Sequence, residues 1–281
     1  MTTTQPSTQT TQTTTQPTGK VTPINVPYPE TRDLEVRISE GACRLNIVPA
    51  DGEAWITGTY TDPSGMRSLN IETVGGITRM TENFSGSRVW EWLRAGYTFD
   101  AVPQLDLAFG KARPFKLSIE IGASDNRLDL GGLPISRLSF KHGAGKTTID
   151  FSAPNPQVMT LMNVGAGAGS TELSHLANAR FAELTVEGGM AGFVLDFGGT
   201  LQQDAHARIS CGLASVDVNV PPSTLARILT ESPLGHIEVG EGFTTHADGA
   251  LWTSAATEVD VPVLTIDANV ALGTLTLRAK P

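Results

Sequence analysis

Six acidic residues, Asp129, Asp150, Glu172, Asp196, Asp217 and Glu238, recur at intervals of 21, 22, 24, 21 and 21 positions. Each stands between two residues that are nearly always apolar, as in Leu128-Asp129-Leu130 and Val216-Asp217-Val218. Brought into one row, such carboxylates have two chemistries open to them. They can ligate a hard cation, for which calcium fits because it takes many oxygen ligands. Alternatively, Asp150, Glu172 and Asp196 can act as acid and base on a glycan. Carboxylates stacked at the inter-strand spacing of roughly 4.8 Å repel by about 1–3 kcal/mol per neighbouring pair. That repulsion calls for an offset: interleaved basic residues, raised pKa values, a bound cation or a basic partner. Without one, the side chains splay into water and salt screens them.

The elements that would position this row are legible in the same stretch. Each acidic triplet follows a small-residue turn, among them Gly122-Ala123-Ser124, Gly143-Ala144-Gly145, Gly165-Ala166-Gly167, Gly188-Gly189-Met190 and Cys211-Gly212-Leu213. The other half of each copy also alternates as a strand, as in Ile135-Ser136-Arg137-Leu138-Ser139-Phe140. A repeat of this length, without helical spacing inside it, marks stacked units that bury too little alone. The expected fold is all-β, a β-solenoid of 21–24-residue coils with two strands and two turns per copy. An ordinary sandwich with evenly spaced turns is the competing architecture; the turn composition repeats along with the spacing, which favours the solenoid. A degenerate seventh copy is expected at Leu272-Gly273-Thr274-Leu275-Thr276-Leu277, after the sixth triplet. Residues 115–281 are read as the solenoid, 31–114 as an N-terminal β subdomain, and 1–30 as a disordered tail rich in Thr, Gln and Pro. Such a tail buries too little to offset its ordering entropy. It reads as the tether to an anchor outside this sequence.

Composition excludes some functions. A net charge of −9 and a pI near 5.0 argue against nucleic acid, whose phosphates require a basic footprint. Cys43 and Cys211 have no metal-ligand spacing and read as small buried thiols. Gly145-Lys146-Thr147 resembles the tail of a phosphate loop, but Phe140 stands where the leading glycine belongs and a strand pattern follows. The histidines, His142, His175, His206, His236 and His246, read as turn or surface residues. Trp90 and Trp92, in a segment that breaks the repeat, read as a cap on the core or as a platform for a glycan or protein partner.

The strings Gly41-Ala42-Cys43-Arg44-Leu45-Asn46-Ile47, Gly143 to Phe151, Gly188 to Asp196 and Asn269 to Leu275 resemble the bacterial toast-rack, candidate-adhesin domains. These are related to the LiaF-like cell-wall-active antibiotic response proteins. The resemblance spans roughly residues 32–280. It implies a β-solenoid-like domain outside a bacterial membrane, held by an anchor, with a role in adhesion or envelope-stress sensing and with no catalytic residues to carry over. The expected function is a non-enzymatic extracytoplasmic binding or scaffolding module. Its expected partners are an envelope protein, cell-wall glycan or another copy of itself, with membrane contact only through the anchor. The alternatives are a glycan-active β-helix enzyme and a self-assembling structural protein. No cofactor is expected, apart from calcium on the acidic row.

Overall fold

The computed structural model describes residues 20–84, 102–253 and 261–280; Trp90 and Trp92 lie outside them. In chain order the strands are β1 Lys20–Val26, β2 Leu34–Ala50, β3 Ile56–Asp62, β4 Arg67–Val74, β5 Ile77–Phe84, β6 Gln104–Gly110, β7 Phe115–Asp129, β8 Ile135–Asp150, β9 Met159–Ser174, β10 Phe181–Asp196, β11 Ala205–Val220, β12 Ala226–Glu231, β13 His236–Val239, β14 Phe243–Thr245, β15 Leu251–Thr253 and β16 Leu264–Ala279. They form one sheet whose centre, β2-β7-β8-β9-β10-β11-β16, is parallel throughout. The solenoid is therefore present, and its coils share one hydrophobic core.

Each long strand is two arms joined at a corner. In β7 the buried residues are Phe115, Leu117, Ile119 and Ile121, then Asn126 and Leu128. Strict alternation would have kept the buried set on odd numbers. The five-residue step from Ile121 to Asn126 changes the parity, so both arms face the same core. The same step separates His142 from Thr147 in β8 and Ala166 from Thr171 in β9. The small residues Gly122, Gly143 and Gly167 sit at these steps for a packing reason. A Cβ on Gly143 would lie 2.5 Å from the Gly122 carbonyl oxygen of the preceding coil. The core between the arms is mainly aliphatic and also holds aromatic rings, with Phe140, Phe151, Phe181, Phe193 and Phe197 at 1% exposure or less.

Sequence order and spatial order part at both ends of the stack. The sixth triplet, on β13, does not follow β11. The terminal strand β16 pairs along its whole length with β11, and β12 and β13 pair with its other side. The expected seventh copy is thus inserted between the fifth and the sixth. Apolar content explains the exchange: β16 buries Leu264, Ile266, Ala268, Val270, Leu275 and Leu277, whereas β13 is exposed at three of its four positions. At the other end β2 joins β7 directly, from Leu34↔Phe115 to Ile47↔Leu128, so the sheet is continuous across the 114/115 boundary. Beyond β2, β5 extends the first arm and β6 the second. Strand β1 begins at Lys20, inside the stretch read as tail, because Ile24 and Val26 are buried where β1 pairs with β3. As an edge strand, β1 accommodates Pro23.

Candidate functional site

The acidic residues do not form one row. Coil lengths differ, and the register sorts the six into two columns two positions apart on the strand. Asp129 pairs with Asp150, which pairs with Ser174; Asp196 pairs with Asn219. Glu172 pairs with Val194, which pairs with Asp217; Thr276 then separates Asp217 from Glu238. Asp129 and Asp150 are the one directly adjacent pair among the six. Several members are also partnered: Asp129 accepts the Ser152 hydroxyl at 2.7 Å, Asp150 contacts His175 Nδ1 at 2.7 Å, and Asp217 pairs with Arg278. Among the described residues no three metal-ligating side chains gather at one point. The structure therefore predicts an unfolding midpoint that is unchanged by calcium, magnesium or chelator, because a ligand selective for the folded state must raise it. A calcium-specific rise lost in Asp129→Asn/Asp150→Asn would contradict this.

A different constellation lies along the corners. The last inward position before each corner forms a column in register, Glu40, Ile121, His142, Ala166, Gly188, Cys211 and Val270. Three members are ionisable and buried, Glu40 and Cys211 at 5% exposure and His142 at 4%. Neither oxygen of Glu40 has a hydrogen-bond partner among the described residues, nor does His142 Nδ1. The other ring nitrogen of His142 meets Thr171 Oγ1 at 3.0 Å. His142 is thus not the turn or surface residue expected, because the alternation Leu138, Phe140, His142 carries it inward.

Glu40 occupies a gap in the sheet. Strand β2 pairs with β5 as far as Ser39 and with β6 only from Arg44, so among the described residues its outer edge is unpaired between them. Into this gap Arg67 of β4 donates to the Ala42 carbonyl at 3.2 Å, and its Nη1 lies 2.8 Å from Glu82 Oε1 in a charge contact. Glu82 Oε2 accepts the Gly41 amide at 3.2 Å. Burial, followed by the neighbouring Glu82 charge, pushes the Glu40 carboxyl up to about 8, against a smaller opposing effect of Arg67. Glu40 is thus largely protonated at neutral pH. Burial lowers His142, so its imidazole is neutral there. Burial likewise pushes the Cys211 thiol up to about 11 and Cys43 higher still, which leaves both poor nucleophiles. Both thiols are free and buried, as expected from sequence.

A surface groove runs along the corners beside this column. Its first part, about 650 Å³, is lined by Glu40, Glu82, Glu120, Lys141 and His142 together with the backbone of Gly41, Gly122 and Gly143. A second part, about 480 Å³, shares Lys141 and His142 and runs on past Gly167 to Glu187 and Gly189. The floor is kept open by the absence of side chains in the corner glycine column. The sequence signal for Glu40 was available in Leu34, Val36, Ile38, Glu40, an apolar alternation that ends on a carboxylate at an inward position.

The family profile of the N-terminal domain of toast_rack, DUF2154, matches residues 7–157, just over half of the 281 residues. The chain belongs to the toast-rack family. The matched toast-rack region includes β2, β7 and β8, and with them Glu40, Glu120 and His142. No curated protein matches the chain. Solved structures similar to this toast-rack protein include a candidate cell adhesion protein from Clostridium sporogenes, with 14% identity over 93% of this chain and 100% of that one, at a TM-score of 0.48. A candidate adhesin from Bacteroides fragilis has 8% identity over 93% and 99%, at 0.39. A candidate lipid-binding protein from Parabacteroides distasonis has 11% over 91% and 96%, also at 0.39. Among the described residues of this toast-rack chain, no helix is long and apolar enough to cross a membrane.

Proposed function

We propose that this protein is a non-enzymatic binding or scaffolding module of the bacterial envelope, working on the outer side of the membrane, and that the corner groove is its binding face. The observation that carries the reading is the groove's continuity: one glycine-floored channel crosses successive parallel coils, with side chains of both signs, Glu120, Lys141 and Glu187, along it. A channel built from repeated coils presents the same backbone at each rung, roughly 4.8 Å apart. That geometry suits an extended partner such as a cell-wall glycan strand better than a single reacting bond. The arrangement of acids agrees. The three candidates for a glycosidase's acid and base, Asp150, Glu172 and Asp196, are spread over two columns, and Asp150 is engaged by His175.

Incubation of the purified chain with isolated cell-wall sacculi tests the reading. Saturable co-sedimentation that falls at least about fivefold in Lys141→Glu, the loss of roughly 1 kcal/mol of a polar contact, is the expected outcome. Release of reducing ends from the glycan, or co-sedimentation indifferent to Lys141→Glu, would contradict it.

A further inference from the structure

We propose that the corner is a self-association surface, on which two copies of the chain pack antiparallel about a two-fold axis at Ala168, the large apolar residues of each filling the small-residue hollow of the other. Two positions past each last inward residue, the corner carries a second column in register. Ala42, Ala123, Ala144 and Ala168 occupy its first rungs. Met190 pairs with Ala168, the register on either side sets Met190 beside Leu213, and Leu213 pairs with Leu272. The two halves differ in relief. Ala42, Ala123 and Ala144 border a hollow of about 350 Å³. Met190, Leu213 and Leu272 stand on successive rungs at 65%, 47% and 46% exposure. Single exposed apolar residues are ordinary, whereas a contiguous row of them marks a contact surface.

The symmetry of this column selects a second copy as the occupant. Reversal about Ala168 sets Ala144 against Met190 of the second copy, Ala123 against Leu213 and Ala42 against Leu272, and the same contacts recur across the axis. Knobs and hollow share the rung spacing of roughly 4.8 Å, so each large side chain finds a small residue opposite. A parallel pairing would set alanine against alanine and leave the hollow unfilled. Charge agrees with the reversed pairing. Three residues before the column, the exposed Lys141 and Glu187 lie on either side of Gly165. The axis therefore brings Lys141 opposite Glu187 of the second copy, twice. Beyond the column no like charges meet, since Asp125 faces Ser215 and Lys146 faces Gly192. The column covers roughly 400 Å² per copy at the inter-strand spacing, which makes the dimer weak and reversible. A second copy and an extended glycan exclude each other along Lys141 and Glu187, but the inference does not depend on the glycan reading.

Sedimentation of the full chain from about 1 µM to about 1 mM, the span that covers weak association, is expected to show a reversible rise from 29.7 kDa toward twice that mass. Leu213→Lys should weaken association at least about tenfold, since the lost apolar contact counts twice across the axis. Leu213 is exposed, so this variant keeps the fold. Lys141→Glu should weaken association at least about threefold, and adding Glu187→Lys should restore it to within about twofold. A short thiol-specific bismaleimide reads the direction of packing: Ala144→Cys mixed with Met190→Cys should cross-link between chains, and Met190→Cys alone should not. Cys43 and Cys211 are buried and stay silent. A monomer up to about 1 mM, association unchanged in Leu213→Lys, no rescue by Glu187→Lys, or cross-linking of Met190→Cys to itself would each overturn the proposal. So would a monomer that sediments with phosphatidylcholine vesicles through Leu213, which would assign the row to a lipid surface. The glycan reading is tested by sacculi alone, so the two fail separately.

Discussion

Replacing Gly145 by alanine is expected to lower the unfolding midpoint sharply, because the corner of β8 has no room for a side chain at that position. Gly145 has φ of +126°, a conformation that other residues avoid, and an added Cβ would overlap the Ser124 carbonyl oxygen of the preceding coil. Gly169, its partner in the next coil, has φ of +112° and meets the Gly145 carbonyl in the same way. Both the strained backbone and the displaced neighbour count against the variant. Together they are expected to cost at least about 3 kcal/mol, or roughly 6–12 °C for a domain of this size. Gly165→Ala is the control. Its new Cβ would meet only Lys141 Cγ at an ordinary 3.5 Å, so it should be neutral or stabilise by up to about 1 kcal/mol through a stiffer unfolded chain. Thermal melts of the two variants side by side check the pair. Equal midpoints would mean that the coils are not stacked in this register.

Glu40→Gln is expected to stabilise the protein at pH 9 and to change little at pH 4. The folded carboxyl titrates at about 8, well above the 4.5 of an ordinary glutamate. Between these values the native state holds a proton that the unfolded state has released, so stability declines as pH rises through this window and levels off above it. The stability is fully present below about 4.5 and lost by about 8. Glutamine keeps the neutral shape and does not titrate. The difference between variant and wild type should therefore open across the window and reach roughly 4–5 kcal/mol at pH 9, since each pH unit between the folded and unfolded titration points is worth about 1.36 kcal/mol. Chemical denaturation at the two pH values measures it. A variant less stable than wild type at pH 9 would mean that the Glu40 carboxylate is paired rather than isolated.

Much of this architecture was legible in the chain. The alternating arms, the glycine corners and the period of 21–24 residues follow from side-chain parity and from the crowding of one coil's corner against the next. Two features were not legible, and each has a physical reason. Alignment of the copies on their acids implies coils of 21 and then 22 residues after Asp129. The structure instead pairs Asn126 with Thr147 and Thr147 with Thr171, steps of 21 and 24, because the loop after Asp150 takes up extra residues. Asn155 anchors that loop through the carbonyls of Ile135 and Ala179. The acids are thereby displaced from one another, while Thr147, Thr171 and Phe193, all buried, stay aligned. The insertion of β16 between β11 and the sixth copy is the second. Proximity in sequence favours β12 and β13 beside β11, but the more apolar strand takes the more buried place.

The site shows the same division. Glu40 could have been found from Leu34, Val36 and Ile38, whose alternation it completes. Its isolation could not, since that depends on β2 losing β5 before it gains β6. Glu82 and Arg67 reach the gap from strands that no repeat pattern connects to it.

The electrostatics of the corner depend on Glu40 being a buried acid with no hydrogen-bond partner among the described residues. Its protonation can be observed directly as the carboxylic-acid infrared band in the difference between wild type and Glu40→Gln, recorded across pH. A band present at pH 7 and lost with a midpoint near 8 is the predicted result. A difference spectrum with no protonated band at pH 7 would contradict it, since Glu40 would then be an ordinary carboxylate.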